Sequence, residues 1–167
     1  PARVWFGNHN SWWDGLLEFR VARVLGLDFR VMMEERNLAR FPFFRRTGAF
    51  GVDLASDAGR SRGLLRAARL LREGGPGRLL VLFPQGVLET PAAPRRGFEG
   101  GLEGLARLAP EAEFRPLAKV SLPGRHPLPE VFLRLGPRCP PGAGTAALGE
   151  ALWQCHDGLW RDLGAGE

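Results

Sequence analysis

The sequence has no tyrosine, only two cysteines and a single lysine among its 167 residues. Cys139 and Cys155 are too few for a disulfide framework, and they do not combine with the three histidines at a metal-ligand spacing. We therefore expect a reducing compartment and no structural zinc site.

Long apolar runs are also lacking. The longest uninterrupted run covers residues 79–83, whereas a membrane-spanning helix needs about 20 apolar residues. No signal-peptide pattern opens the chain. The sequence begins at Pro1, close to a predicted strand. The sequence therefore leaves open whether a segment with an anchor helix precedes Pro1.

The composition is that of a globular protein. Charged residues make up 25% of the chain and hydrophobic residues 44%, which excludes a disordered or collagen-like protein. The length fits one compact domain. Lysine and arginine outnumber aspartate and glutamate by 23 to 18, which favours anionic partners.

One predicted helix concentrates this positive charge. Its basic positions recur at helical spacing and are Arg62, Arg66, Arg69 and Arg72. The positions expected on the opposite, apolar face are Leu64, Leu65, Ala68 and Leu71. The basic face is either solvated or contacts an anionic partner such as a lipid surface or an acidic acyl carrier protein.

Strands alternate with helices along the hydrophobic pattern. The predicted strands cover residues 3–7, 29–33, 49–52, 78–83, 114–120 and 131–135. The predicted helices cover residues 11–26, 61–72, 98–108 and 144–163. The apolar side of the first helix should consist of Leu16, Leu17, Val21, Val24 and Leu25. Irregular structure is predicted around residues 37–47, where Pro42 interrupts the pattern, and over the proline-rich residues 90–97. This order indicates a single α/β domain with a mostly parallel or mixed sheet flanked by helices.

The string GNHNSWWDG contains the first candidate for chemistry. It places His9 just after a predicted strand and Asp14 near the start of the next helix, where α/β folds carry working residues. On a continuous helix the two side chains would diverge by about 140°, so they meet only if the residues between them turn. A carboxylate bonded to Nδ1 of a histidine leaves Nε2 free to remove a proton from a hydroxyl. The alternative is a histidine that bonds the backbone at a helix start and an aspartate that is a first-turn charge.

Four ordered motifs extend this pattern across about two thirds of the chain. They are NHNSWWD, then FPFFRRTGAFGVD at residues 41–53, FPQG at residues 83–86 and FRPLA at residues 114–118. The chain thereby resembles the PlsC (lysophosphatidate acyltransferase) superfamily of glycerolipid acyltransferases, whose corresponding blocks read NHxSxxD, a Pro-Phe turn leading to GAFxVD, FPEG, and a V-P-V/L-A strand.

The resemblance implies acyl transfer from acyl-CoA or an acyl-carrier protein to a lipid hydroxyl, with His9 as the base and Asp14 as its orienting partner. A thioester is already activated, so positioning and one base are chemically sufficient. The implied substrate-binding residues are Asn8, Ser11, Gly48, Asp53, Pro84, Gln85, Gly86 and Pro116. Arg95 and Arg96 are further substrate-binding candidates, at positions outside the four motifs. The resemblance implies no metal and no cofactor beyond the acyl donor, a peripheral position on the cytoplasmic side of a membrane, and no nucleic-acid partner.

Three positions depart from the family pattern. Leu54 and Leu88 stand where the family usually has arginines associated with the phosphate of the acceptor, and Gln85 stands where it has a glutamate. Leucine cannot donate to a phosphate. Arg60, Arg95 and Arg96 are near enough in sequence to substitute. An acceptor without a phosphate, such as a glycolipid, a carotenoid glycoside or a hydroxylated lipid, is therefore the alternative to lysophosphatidate.

Aromatic residues cluster around the first two motifs: Trp12, Trp13, Phe41, Phe43 and Phe44. They could line an acyl tunnel, rest at a membrane interface, or simply pack in the core.

Two other classes of function compete. GRSRG at residues 59–63 matches the G-x-S-x-G motif of serine hydrolases, but no buried strand precedes it and the only downstream partners are weak ones such as Glu111 with His126. The basic helix face could instead bind nucleic acid, although no nucleic-acid-binding signature accompanies it.

Overall fold

The computed structural model describes residues 1–89, 95, 97–98, 100–123 and 128–164. The described residues form a single α/β domain built on one six-stranded sheet. The strands are β1 (Arg3–Gly7), β2 (Asp28–Glu34), β3 (Ala49–Val52), β4 (Arg78–Leu82), β5 (Glu113–Leu122) and β6 (Glu130–Leu135). The helices are α1 (Asp14–Val24), α2 (Glu35–Arg40), α3 (Asp57–Gly74), α4 (Gly101–Leu108) and α5 (Thr145–Asp162). The predicted fold class is confirmed.

The strand order is β3-β2-β4-β1-β5-β6, with β1 to β5 parallel and β6 antiparallel to β5. Because β1 and β4 are neighbours, the chain segments that leave their carboxyl ends meet at one edge of the sheet. Residues 8–13 and 83–89 are these two segments. The topology thus brings the first and third sequence motifs together.

The sheet is covered on both faces, which explains why its central strands are continuously apolar. Along β4, Leu80 and Leu82 pack with α3, α4 and α5, whereas Leu79 and Val81 pack with α1 and α2. All four side chains are buried.

Several helix boundaries differ from the prediction. Helix α1 begins at Asp14 rather than residue 11, because the Asp14 side chain accepts hydrogen bonds from the backbone N–H groups of Asn10 and Ser11 and holds that segment in a turn. Helix α3 begins at Asp57 rather than residue 61, since Ser56 caps it by accepting from the Gly59 N–H. Helix α4 begins at Gly101 rather than residue 98.

Two further predictions about helices are corrected. In the segment 37–47, predicted to be irregular, the chain forms the end of α2 and a 3₁₀ helix at Pro42–Thr47. Leu65, expected on the apolar face of α3, is exposed, because the buried face follows the small residues Gly59, Gly63 and Ala67 at intervals of four. Of the predicted loop at residues 90–97, only 95 and 97 lie within the described residues.

The apolar side predicted for α1 is also wrong in part. Val24 and Leu25 are exposed, and the buried stripe of the helix consists of Asp14, Glu18 and Ala22. A helix buries two carboxylates only where partners satisfy them. These partners belong to the candidate site.

Candidate active site

His9 and Asp14 form a hydrogen-bonded pair. The chain turns after β1 at residues 8–13, and His9 Nδ1 lies 2.9 Å from Asp14 Oδ2. Because a carboxylate only accepts hydrogen bonds, Nδ1 carries the proton and Nε2 is left with its lone pair. The turn that the sequence required for this contact is confirmed.

The backbone of His9 is fixed by the segment after β4. Its N–H donates to Gln85 Oε1 at 2.9 Å, and its carbonyl oxygen accepts from the Glu89 N–H at 2.8 Å. The Gln85 amide in turn donates to Glu89 Oε2 at 2.6 Å. The imidazole ring stacks on Phe83, with ring centroids 4.3 Å apart. Few alternative positions remain for the ring.

Asp14 is buried and accepts three hydrogen bonds through Oδ2, from His9 and from the backbone N–H groups of Asn10 and Ser11. Burial raises the pKa of Asp14, but the His9 hydrogen bond, the positive charge of Lys119 and the Ser11 N–H together outweigh burial and lower the pKa below its ordinary value. Asp14 is therefore an anion at neutral pH.

A second layer of buried polar groups lies behind the dyad. Lys119 Nζ is 2.6 Å from Glu18 Oε1 and 3.7 Å from Asp14 Oδ2. Asn8 pairs with the Lys119 backbone, accepting from its N–H at 2.8 Å and donating to its carbonyl oxygen at 2.9 Å. This contact ties the end of β1 to β5.

Sequence reasoning missed Glu18 and Lys119. The available signal was that the only lysine lies in an apolar strand and that a lone acid interrupts the apolar stretch LLEF one helical turn after Asp14. Buried charges of opposite sign usually pair. Their spatial proximity depends on the register between α1 and β5, which the sequence pattern does not specify.

Glu18 makes the stability of the domain depend on pH. Burial raises the pKa of Glu18 to about 7, although the charge of Lys119 opposes this rise. A carboxyl with a raised pKa stabilises the folded state below its unfolded pKa, and this contribution is lost as the pH rises through the folded pKa. We expect the free energy of unfolding to fall by about 3 kcal/mol from this group between pH 5 and pH 8.

Urea unfolding at these two pH values, compared between wild type and Glu18→Gln, measures this loss. The variant should lack it, and Glu73→Gln, which changes an exposed glutamate of α3, should retain it. Identical pH dependence in wild type and Glu18→Gln would contradict the assignment.

A cavity of about 540 Å³ opens beside His9. Its walls are mainly apolar, and its few polar residues include Glu34, Asn37, Thr47 and Arg60. A mostly apolar cleft with a few polar groups is typical of a small-molecule site. Asp14 lies behind His9 and is not among the residues that line it.

The predicted substrate-binding residues divide between the cavity and the framework. Pro84 and Gly86 line the cavity, and Gly86 has a φ of 70° that favours glycine at this turn. Gln85 accepts a hydrogen bond from the His9 backbone N–H and is not part of the cavity wall.

Five other predicted substrate-binding residues do not line the cavity. Asn8 pairs with β5, while Ser11 donates its N–H to Asp14 and accepts from the Trp13 N–H at 3.2 Å. Gly48 ends the 3₁₀ helix with a φ of 97°, beside the Phe29 backbone. Asp53 accepts from the Ala55 N–H and the Ser56 hydroxyl at the start of α3. Pro116 is buried in β5.

The arginine expectations are revised. Arg95 pairs with Asp157 and lies over the ring of Trp153, both on α5, and it is not among the cavity residues. Arg96 lies outside the described residues. Arg60 does line the cavity, but its guanidinium already donates to the Leu54 carbonyl oxygen and to Asp57.

The aromatic cluster has mixed positions. Trp12 and Phe44 line the cavity. Trp12 also contacts Phe41, with ring centroids 4.7 Å apart. Trp13 and Phe43 are exposed. Phe44 is also buried, so the cluster includes cavity-lining, buried and exposed side chains.

Two sequence features suggested rival functions: the GRSRG string of a serine hydrolase and the basic face of α3. Ser61 is an exposed residue within α3, with no strand directly before it. On the basic face, Arg66 lies over the Phe50 ring and Arg72 donates to the Leu108 carbonyl oxygen at 3.0 Å. Among the described residues, no cluster of histidine, cysteine, aspartate or glutamate could hold a metal ion.

No helix in the described part of the chain combines the length and apolar character needed to cross a membrane. No protein-family model, curated protein or solved structure matches the chain.

Proposed function

We propose that this protein is an acyltransferase that moves a fatty acyl group from acyl-CoA or an acyl-carrier protein to the hydroxyl of a glycerolipid or lysophospholipid. The observation that carries the proposal is the His9–Asp14 hydrogen bond of 2.9 Å at the wall of the apolar cavity. It supplies a base with a defined tautomer beside space for an acyl chain.

In the proposed reaction, Nε2 of His9 removes the proton of the acceptor hydroxyl while its oxygen attacks the thioester carbonyl carbon. The carbon–sulfur bond then breaks, and the departing thiolate takes the proton from His9. Asp14 holds the ring and stabilises the transient imidazolium. Among the described residues, those that line the cavity include no serine or cysteine, so we propose direct transfer without an acyl-enzyme.

We further propose that the enzyme works at a membrane surface, on the cytoplasmic side. The segments that follow parallel strands at the cavity edge of the sheet carry exposed apolar side chains: Trp12, Trp13, Leu54, Val87 and Leu88. Tryptophan and leucine at such an edge favour the boundary between headgroups and acyl chains. A lipid acceptor would then enter the cavity directly from the surface layer.

Product analysis tests this function. Wild-type protein is incubated with acyl-CoA or acyl-carrier protein and a panel of lipid hydroxyl acceptors, and products are identified by mass spectrometry. The proposal requires an acylated acceptor and one free thiol per transfer. Free fatty acid as the only product would indicate a hydrolase instead. Retention of nucleic acid that salt abolishes, without thioester consumption, would indicate a binding module.

The acceptor class depends on the cavity wall at Leu54. This residue lines the cavity, at the position where the resembled family has an arginine. We expect unphosphorylated acceptors to compete well with lysophosphatidate, and Leu54→Arg to raise kcat/KM for lysophosphatidate by about 10- to 100-fold, the effect of one charge-assisted hydrogen bond. Leu65→Arg, at an exposed leucine of α3 outside the cavity lining, is the control. A wild type that already strongly prefers lysophosphatidate would contradict this expectation.

A further inference from the structure

A buried ammonium ion lies directly behind the candidate dyad. Lys119 Nζ is 3.7 Å from Asp14 Oδ2, 2.6 Å from Glu18 Oε1, and 4.3 Å from the centroid of the Phe83 ring. The same Phe83 ring stacks on His9. Lysine, both carboxylates and the aromatic ring thus form one contiguous unit with the imidazole.

The framework holds this ammonium ion in a fixed place. Asn8 bonds both the N–H and the carbonyl oxygen of Lys119. Gly7 lies beside the pair. A Cβ there would make ordinary contacts with Lys119 Nζ at 3.5 Å and Glu18 Oε1 at 3.6 Å, but it would clash with the Leu117 carbonyl oxygen at 2.8 Å. The Lys119 and Glu18 side chains are 3% and 0% exposed. Solvent therefore screens these charges weakly.

Stability alone is a poor explanation for this pair. A buried ion pair commonly stabilises a protein no more than well-packed apolar residues of similar volume. Glu18 is also incompletely satisfied, because its Oε2 is buried without a hydrogen-bond partner among the described residues. The position of the pair, in contact with Asp14, is its distinguishing property.

We propose that Lys119 and Glu18 are positioning residues that set the charge on the His9–Asp14 dyad. The ammonium ion keeps Asp14 ionised beside His9, and Glu18, when ionised, offsets that positive charge. The effect of this charge balance on catalysis rests on the acyl transfer proposed above. The charge balance itself does not depend on that proposal.

The charged groups around the dyad are few and come from separate elements. Helix α1 contributes Asp14 and Glu18, β5 contributes Lys119, and the segment after β4 contributes Glu89, which reaches His9 through Gln85 and its own backbone N–H. Among the residues that the structure describes, Lys119 is the only lysine or arginine that pairs with Asp14 or Glu18. Removing it and removing Glu18 should therefore have opposite effects.

Nuclear magnetic resonance titration of the histidine rings tests this directly, because the chain has only three histidines to assign. In wild type, Glu18 offsets the ammonium ion fully only above its pKa of about 7. In Glu18→Gln the ammonium ion is unopposed at every pH, so the pKa of His9 should fall, by less than the change expected for Lys119→Met. In Lys119→Met the cation is lost, so the pKa of His9 should rise by ~0.5 pH unit or more. The double variant should resemble Lys119→Met, because a buried Glu18 without its cation stays protonated. His156, on α5 between Trp153 and Trp160, serves as the internal reference.

Shifts of the same sign in both single variants, or no shift, would overturn the proposal and leave the pair a packing feature. If Lys119→Met does not fold, Glu18→Gln decides alone, since only a fall in the His9 pKa supports the proposal. The pH profile of kcat/KM separates the two claims. Opposite shifts without turnover by wild type would refute the proposed function, whereas turnover without opposite shifts would refute only the charge balance.

Discussion

Asp14→Asn should lower kcat by about 10²- to 10⁴-fold with little change in KM. The asparagine oxygen can still accept from the N–H groups of Asn10 and Ser11, which hold the turn before α1. The same oxygen position also faces His9 Nδ1, so the Nδ1–H can still donate to it. What the variant loses is the negative charge that stabilises the imidazolium formed when Nε2 takes a proton, so the ring becomes a weaker base.

A matched control exists for this substitution. Asp57 is the first residue of α3, as Asp14 is the first residue of α1, but its side chain is exposed. Asp57→Asn should leave kcat unchanged, and both variants should retain the circular dichroism spectrum of wild type. Comparable activity in Asp14→Asn and wild type would mean that the charge of Asp14 does not contribute to the function of His9 as a base.

The sequence predicted the fold well where the signal was local. The apolar run of β4 identified a buried strand, and the alternation of strands and helices identified the sheet class, both as observed. Helix starts were less accurate. At α1 no side chain caps the helix, and its first residue, Asp14, bonds back to residues 10 and 11. Hydrophobic periodicity does not report such contacts.

The sequence predicted the motif residues of the candidate site but not the buried polar residues behind them. His9, Asp14, Pro84 and Gly86 follow strands whose carboxyl ends share one edge of the sheet, so their proximity follows from topology. Arg95, which we expected near the acceptor, does not line the cavity, and its side chain pairs with Asp157 on α5. Sequence distance from a motif does not specify the direction in which a long side chain extends.

Buried polar partners were the hardest feature to predict. Asn8, Glu18 and Lys119 are brought together by the pairing of β1 with β5 and by the packing of α1. Asn8 and Glu18 are each more than 100 residues from Lys119 in sequence, with separations of 111 and 101. Without a register for the strands, no local pattern distinguishes such a pair from two solvated charges.

His9→Ala should reduce acyl transfer by about 10²- to 10⁴-fold, the usual cost of losing a general base. The fold should persist, because the His9 side chain is 24% exposed and the backbone bonds from Gln85 and Glu89 do not require the ring. Binding of the acyl donor should change little, since the apolar cavity remains. The matched control is His156→Ala, which removes a histidine of α5 at a distance from the dyad.

The most direct test of the account is the rate at which wild type, His9→Ala and His156→Ala convert an acyl thioester and a lipid hydroxyl into an acylated lipid, followed by mass spectrometry. The account predicts product formation by wild type and His156→Ala, and a loss of at least about 10²-fold in His9→Ala. An acylated lipid formed equally fast by His9→Ala, or no product from wild type with any donor and acceptor of the panel, would contradict it.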